Sequence, residues 1–124
     1  MKVFKSKKAE KLVLDTYNQL LVMWDVDIEE RDISTSYGST HVVLCGNEAN
    51  PPLILFHGVG DNSALMWIYN AKALSHHFRV IAVDTIGGPG KSVPNKKYSK
   101  DFDDAKWIDE IANEVNHIII EYSL

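Results

Sequence analysis

Apolar residues recur at spacings of three and four across residues 7–24. Ala9, Leu12, Val13, Tyr17, Leu20, Leu21 and Trp24 form one stripe, and Lys8, Glu10, Lys11, Asp15, Asn18 and Gln19 fill the other side. This period predicts an amphipathic helix. The width of its apolar face suits packing on its own domain better than a membrane surface or a partner helix. The pattern then shortens. Residues 29–36 and 39–45 read as two antiparallel strands joined at Gly38, with Val42, Val43 and Leu44 suited to a buried pleated face. His41 is expected on the exposed part of the second strand. No second ligand at a metal-binding spacing accompanies it. Residues 46–52, rich in Gly, Asn and Pro, read as a loop.

Leu53, Ile54, Leu55 and Phe56 form an uninterrupted apolar run, the signature of a strand covered on both faces. His57-Gly58-Val59-Gly60 then requires a sharp turn, and Asn62 or Ser63 can cap a helix over residues 63–75. His76 and His77 fall at that helix's end, where a cation interacts favourably with the dipole. A second buried-type strand, 79–84, ends in Asp84. It leads into the glycine-rich loop 85–94, which polar residues extend to 100. A closing helix over 101–122 has Asp101, Asp103 and Asp104 in its first turns. Its predicted buried stripe is Trp107, Ile108, Ile111, Ala112, Val115, Ile118, Ile119 and Tyr122. Strands alternating with helices imply an α/β fold with a parallel sheet covered on both faces.

At 124 residues the chain makes one domain at most. Residues 1–28 are read as a leading helix and linker, and 29–124 as the α/β domain. A formal net charge of −4 argues against nucleic acid, which requires a clustered basic surface. The start is basic, but polar residues interrupt the apolar ones and no small-residue cleavage site follows. No apolar run approaches the ~18 residues needed to span a bilayer. The single cysteine, Cys45, cannot form an internal disulfide and fits a reducing compartment. The expectation is a cytoplasmic protein with no membrane partner, cofactor or metal.

Two stretches invite chemistry. Gly90-Lys91-Ser92 ends like a phosphate-binding loop, but that pattern requires glycine at position 85, where Thr85 stands. It also requires a helix directly afterwards, and Val93-Pro94 is a poor start for one. Nucleotide binding through residues 87–92 is therefore the weaker reading. The stronger signal is the pairing of the 57–60 turn with the 84–92 loop. Both follow parallel strands and so lie at the carboxyl edge of the sheet, where ligands bind.

Taken together, these segments resemble the amino-terminal half of an α/β-hydrolase, and in detail the bacterial carboxylesterases of that superfamily. The resemblance rests on Leu-Ile-Leu-Phe-His-Gly at 53–58, Met66-Trp67, Val-Asp-Thr-Ile-Gly at 83–87 and Lys-Ser-Val-Pro at 91–94. The leading helix and the Tyr-Gly-Ser-Thr-His hairpin at 37–41 belong to it too, so nearly the whole chain is covered. The Asp84 loop is one residue longer than the commoner D-x-x-G-x-G-x-S form. The resemblance implies that the turn after the third strand supplies an oxyanion-hole N–H, from Val59 first and Gly60 second. Gly58 and Gly60 would let the backbone approach closely. His57 would orient that loop rather than act as the base, and Asp84 would tie down its own loop.

No G-x-S-x-G occurs among the 124 residues, and no serine lies between a strand and a helix as a nucleophile elbow requires. Ser92 comes nearest to the expected pocket, without a strand leading into it. The chain is thus expected to stop one strand short of the nucleophile, through gene truncation or splitting or an incomplete sequence. It would be inactive alone, and a small-molecule ester would be the substrate of the intact enzyme. In the superfamily the third strand lies between the fourth and fifth. Leu53 to Phe56 would then form an open edge, inviting self-association or a complementing chain. A non-catalytic binding or interaction module on the same half-fold is the alternative.

Overall fold

A computed structural model describes residues 3–123, with side chains through residue 119. The Tyr122 side chain of the predicted stripe lies outside the described residues. The elements run α1 (Lys7–Val22), β1 (Ile28–Thr35), β2 (Gly38–Cys45), β3 (Pro52–Phe56), α2 (Ser63–Met66), α3 (Ala71–Ser75), β4 (Arg79–Val83), β5 (Val93–Pro94), α4 (Lys96–Lys100) and α5 (Asp104–Ser123). The sheet order is β1-β2-β4-β3, with the short β5 paired to β2. β1 and β2 form the antiparallel hairpin, β2 runs antiparallel to β4, and β3 runs parallel to β4 with Ile54 opposite Ile81. The leading helix, the hairpin and the parallel β3–β4 pair agree with the partial fold that the resemblance implies. Among the described residues β3 pairs with β4 alone, so its other side is an edge.

The period of two in the strands sorts the core into two layers. Val42, Leu44, Ile81, Val83 and Ile54 face α5, where Trp107, Ile111, Val115 and Ile118 pack on them. Val43, Cys45, Val80, Ala82 and Leu55 face the other way, against Tyr17, Leu21 and Trp24 of the α1 segment and Ala64 and Ala71 of α2 and α3. Each fully buried aliphatic or aromatic side chain contributes about 1.5–3 kcal/mol. Two of the described stripe members are exposed: Leu12 at 68% and Ile108 at 42%. No helix among the described residues is long and apolar enough to cross a membrane.

Three local readings change. The helix expected over 63–75 is two short helices. The Trp24 indole N–H donates to the Ala64 carbonyl at 2.9 Å. That carbonyl would otherwise accept the Ile68 amide, which turns instead to Leu65 O at 3.5 Å. The polar stretch after the glycine loop is not a continuous coil. Val93 pairs with Ser39, and Asn95 then caps α4 by accepting from the Tyr98 amide at 3.1 Å. Finally, His41 is buried at 5% exposure. Its Nδ1 meets Asp32 at 2.7 Å and its Nε2 meets Glu30 at 2.9 Å, so both polar edges of the ring are satisfied beneath the surface.

Candidate active site

The turn after β3 and the loop after β4 meet at the carboxyl edge of the sheet. A cavity of about 300 Å³ lies between them, lined by residues 57–60 and 85–89 together with Tyr98. Gly60 adopts φ +79°, the left-handed conformation that glycine reaches without strain. A Cβ added at Gly58 or at Gly60 would meet nothing within 4 Å. No partner among the described residues accepts the Val59 or Gly60 amide N–H, and the Val59 side chain is fully exposed. The turn closes through the Asp61 amide, which donates to Gly58 O at 3.3 Å.

His57 joins the two loops. The Thr85 amide donates to its Nε2 at 2.9 Å, and its Nδ1 lies 2.8 Å from Gly58 O. An amide N–H can only donate, so Nε2 is the bare nitrogen. Nδ1 then carries the proton and donates to the Gly58 carbonyl. Asn62 makes a second bridge. Its Oδ1 caps α2 by accepting from the Leu65 amide at 3.0 Å, and its Nδ2 donates to Pro89 O at 3.0 Å. The sequence pattern marked Asn62 as a cap only, and carried no signal for its reach across to Pro89.

Asp84 is fully buried beneath these loops. Its Oδ1 accepts from the Ser63 amide at the start of α2, and its Oδ2 from the Lys91 amide, both at 2.9 Å. It therefore holds the β4 loop and the start of α2 together. Gly90 is required here because a Cβ would lie 2.5 Å from Asp84 Oδ2. At Gly87, φ is +83° and a Cβ would strike the Tyr98 hydroxyl at 2.2 Å. Tyr17 packs nearby with its hydroxyl buried and without a hydrogen bond of ordinary geometry. Burial first, then the Asp84 charge, raises its pKa far above the usual phenol value.

Lys91 and Ser92 face inward. The Lys91 ammonium donates to Asn18 Oδ1 at 2.5 Å and Glu30 Oε1 at 2.7 Å, and lies 4.9 Å from the Tyr17 ring centroid. The Ser92 hydroxyl donates to Asp84 O at 2.7 Å and accepts from the His41 amide at 2.8 Å. Strand β5, not a helix, follows them. Both side chains are thus committed within the protein rather than presented to a phosphate. Burial pulls the Glu30 pKa upward, but hydrogen bonds and charge from Lys91 and His41 outweigh it and hold it below the usual glutamate value. Among the described residues, no group of three or more His, Cys, Asp or Glu side chains is arranged to hold a metal.

The sequence profile of the alpha/beta hydrolase fold family matches residues 51–121, more than half of the chain and the segment that builds both loops. The chain belongs to the alpha/beta hydrolase fold family. Its relatives include an uncharacterised carboxylesterase, Nap, of Bacillus subtilis, 39% identical over 108 residues, or 84% of this chain and 36% of that protein. Carboxylesterase YbfK of the same organism is 39% identical over 95 residues, or 77% of this chain and 32% of that one. The crystal structure of YbfK superposes with a TM-score of 0.79 at 34% identity, over 87% of this chain and 38% of that one. A naproxen esterase from B. subtilis superposes with a TM-score of 0.66 at 37% identity, over 75% of this chain and 32% of that one. The chain thus matches the amino-terminal part of esterase-like family members and spans about a third of their length.

Proposed function

We propose that these residues form the oxyanion-binding half of a carboxylic ester hydrolase site. Attack on an ester places negative charge on the carbonyl oxygen, and a fixed backbone N–H stabilises that charge. Val59 N–H is the first donor and Gly60 N–H the second. The observation that carries this reading is that neither amide has a partner among the described residues, while the turn holding them is fastened to the β4 loop through His57 and Asn62. His57 acts as the loop-orienting residue, with Gly58 and Gly60 leaving open space above the turn. Asp84 supports both loops from below. The likeness to the two Bacillus carboxylesterases supports an ester as the substrate class.

The nucleophile, acid and base of such a reaction lie outside these 124 residues. Ser92, the serine that the sequence brings nearest to the expected pocket, does not line the cavity between the two loops; it is 4% exposed and engaged at both its donor and its acceptor. The chain by itself is therefore inactive. Incubation with a serine-directed fluorophosphonate and a short-chain aryl ester tests this. Neither labelling nor turnover is expected. Labelling of any serine, retained in Ser92→Ala, overturns the assignment. In a longer polypeptide that also carries the nucleophile, acid and base, Val59→Pro removes the donor N–H and lowers kcat by roughly 10²–10³-fold.

The same half-fold also bears on partners. β3 contains no charged residue, and Phe56 at its end is 39% exposed. An apolar strand with one unpaired edge lacks the lysines and bulges by which sheets avoid pairing with other chains. Taken alone, the 124 residues self-associate along this edge or accept a complementing strand there.

A further inference from the structure

We propose that Lys91 is a positioning residue that sets the geometry of the 57–60 turn from a distance, by tying the β4 loop to α1 and β1. Its functional meaning rests on the oxyanion reading of that turn; the structural coupling does not.

The bonds form one continuous chain. Lys91 Nζ holds Asn18 on α1 at 2.5 Å and Glu30 on β1 at 2.7 Å, with the Tyr17 ring of α1 beneath it at 4.9 Å. The ammonium has three N–H donors, and two oxygens and one aromatic face account for them. The backbone N–H of the same residue donates to Asp84 Oδ2 at 2.9 Å. The next residue after Asp84, Thr85, donates its amide to His57 Nε2 at 2.9 Å, and His57 Nδ1–H reaches Gly58 O at 2.8 Å. Each step from one residue to the next along this path is thus a hydrogen bond or a peptide bond.

Two features make Lys91 more than a surface ion pair. Its side chain is only 21% exposed, so its charge-assisted bonds are weakly screened compared with those of an exposed pair. The loop that carries it also has little freedom, because Gly90 packs so closely on Asp84 that a Cβ would lie 2.5 Å from Oδ2. A displaced Lys91 backbone must therefore displace the Asp84 carboxylate or break its bond to it. Glu30 is itself held by His41, and His41 by Asp32, so the anchor on the hairpin side is braced as well.

The test reads the turn directly in the 124-residue chain by nitrogen-15 NMR, without substrate. In Lys91→Met the Thr85 amide is expected to exchange at least about tenfold faster, the effect of weakening a hydrogen bond in a local opening equilibrium. The His57 ring should also lose its single Nδ1–H tautomer and give averaged nitrogen shifts. Lys91→Arg restores both signals, and Lys11→Met, which breaks only the exposed Lys11–Asp15 pair on α1, changes neither. Should Lys91→Met fail to fold, Asn18→Ala removes one anchor and is read in the same way. The inference is overturned if either folded variant speeds exchange in α1 while leaving Thr85 exchange and the His57 tautomer as in the parent chain. That result makes Lys91 a fastening for α1 alone and leaves the oxyanion reading standing. A failure to find ester hydrolysis in a longer polypeptide, in turn, leaves the coupling intact.

Discussion

The Thr85 amide donates to His57 Nε2 across 2.9 Å, joining two loops that are 28 residues apart in the chain. This bond fixes the imidazole as the Nδ1–H tautomer and so orients the Gly58 carbonyl. His57→Ala removes the acceptor while leaving Thr85 within reach of water. It is expected to lower stability by about 1 kcal/mol, read as a shift in the urea midpoint. An unchanged midpoint, with unchanged Thr85 amide exchange, would show that the bond contributes nothing in solution.

Replacing Asp84 has a larger consequence. Its carboxylate is buried and satisfies the amides of Ser63 and Lys91 at once. Asp84→Ala orphans both donors where water cannot easily follow, at a cost of about 3 kcal/mol or more. Asp84→Asn is also destabilising, since one face of its amide must point an NH₂ at an N–H. Urea denaturation of both variants checks the order, with alanine the more damaging.

Acid should weaken the contact between α1, the hairpin and the β4 loop. Glu30 has a folded-state pKa below its ordinary value of 4.5, because Lys91 and His41 outweigh the effect of burial. A depressed acid pKa contributes stability that is present above the unfolded value and is lost as pH falls through the folded one. The urea midpoint is therefore expected to drop on acidification below that ordinary value. The drop attributable to Glu30 should shrink in Glu30→Gln, whose side chain does not ionise. An identical acid limb in parent and variant would remove Glu30 from the account.

Sedimentation reports on the β3 edge. The chain is expected to associate with rising concentration, and Phe56→Lys, which places a charge at the end of the unpaired strand, should shift it toward monomer. A stable, monodisperse parent monomer at all concentrations would contradict the edge proposal.

Much of the fold was legible in linear order. The period of two at residues 42–45 and 80–83 assigns neighbouring side chains to opposite layers, and the α5 stripe of Trp107, Ile111, Val115 and Ile118 falls on one of them. The misplacements share a cause. Where helix α2 stops, Trp24, forty residues earlier, donates to the Ala64 carbonyl. His41 can lie buried without unpaired ring nitrogens, since Glu30 and Asp32 of the paired strand meet both. Partners supplied by another segment leave no trace in a local pattern.

The candidate site divides in the same way. His57, Gly58, Val59, Gly60 and Asp84 are picked out by the resemblance to the α/β-hydrolases, on a glycine turn after one buried-type strand and a carboxylate ending the next. Their connections through Asn62 and Lys91 do not stand out, since Asn62 resembles any helix cap and Lys91 reads only as the lysine of a phosphate-loop-like Gly-Lys-Ser. The sequence by itself determined the alternation of strands and helices, the two loops at the sheet's carboxyl edge and the absence of a nucleophile elbow from these residues. Each depends on residue types at short spacings. Only the tertiary structure decided which carbonyl each amide reaches, which carboxylates surround His41 and Lys91, and that α1 is bonded through the β4 loop toward the turn. Those outcomes depend on distances of about 3 Å between segments that the chain order separates by tens of residues, and hydrogen bonding acts only at that range.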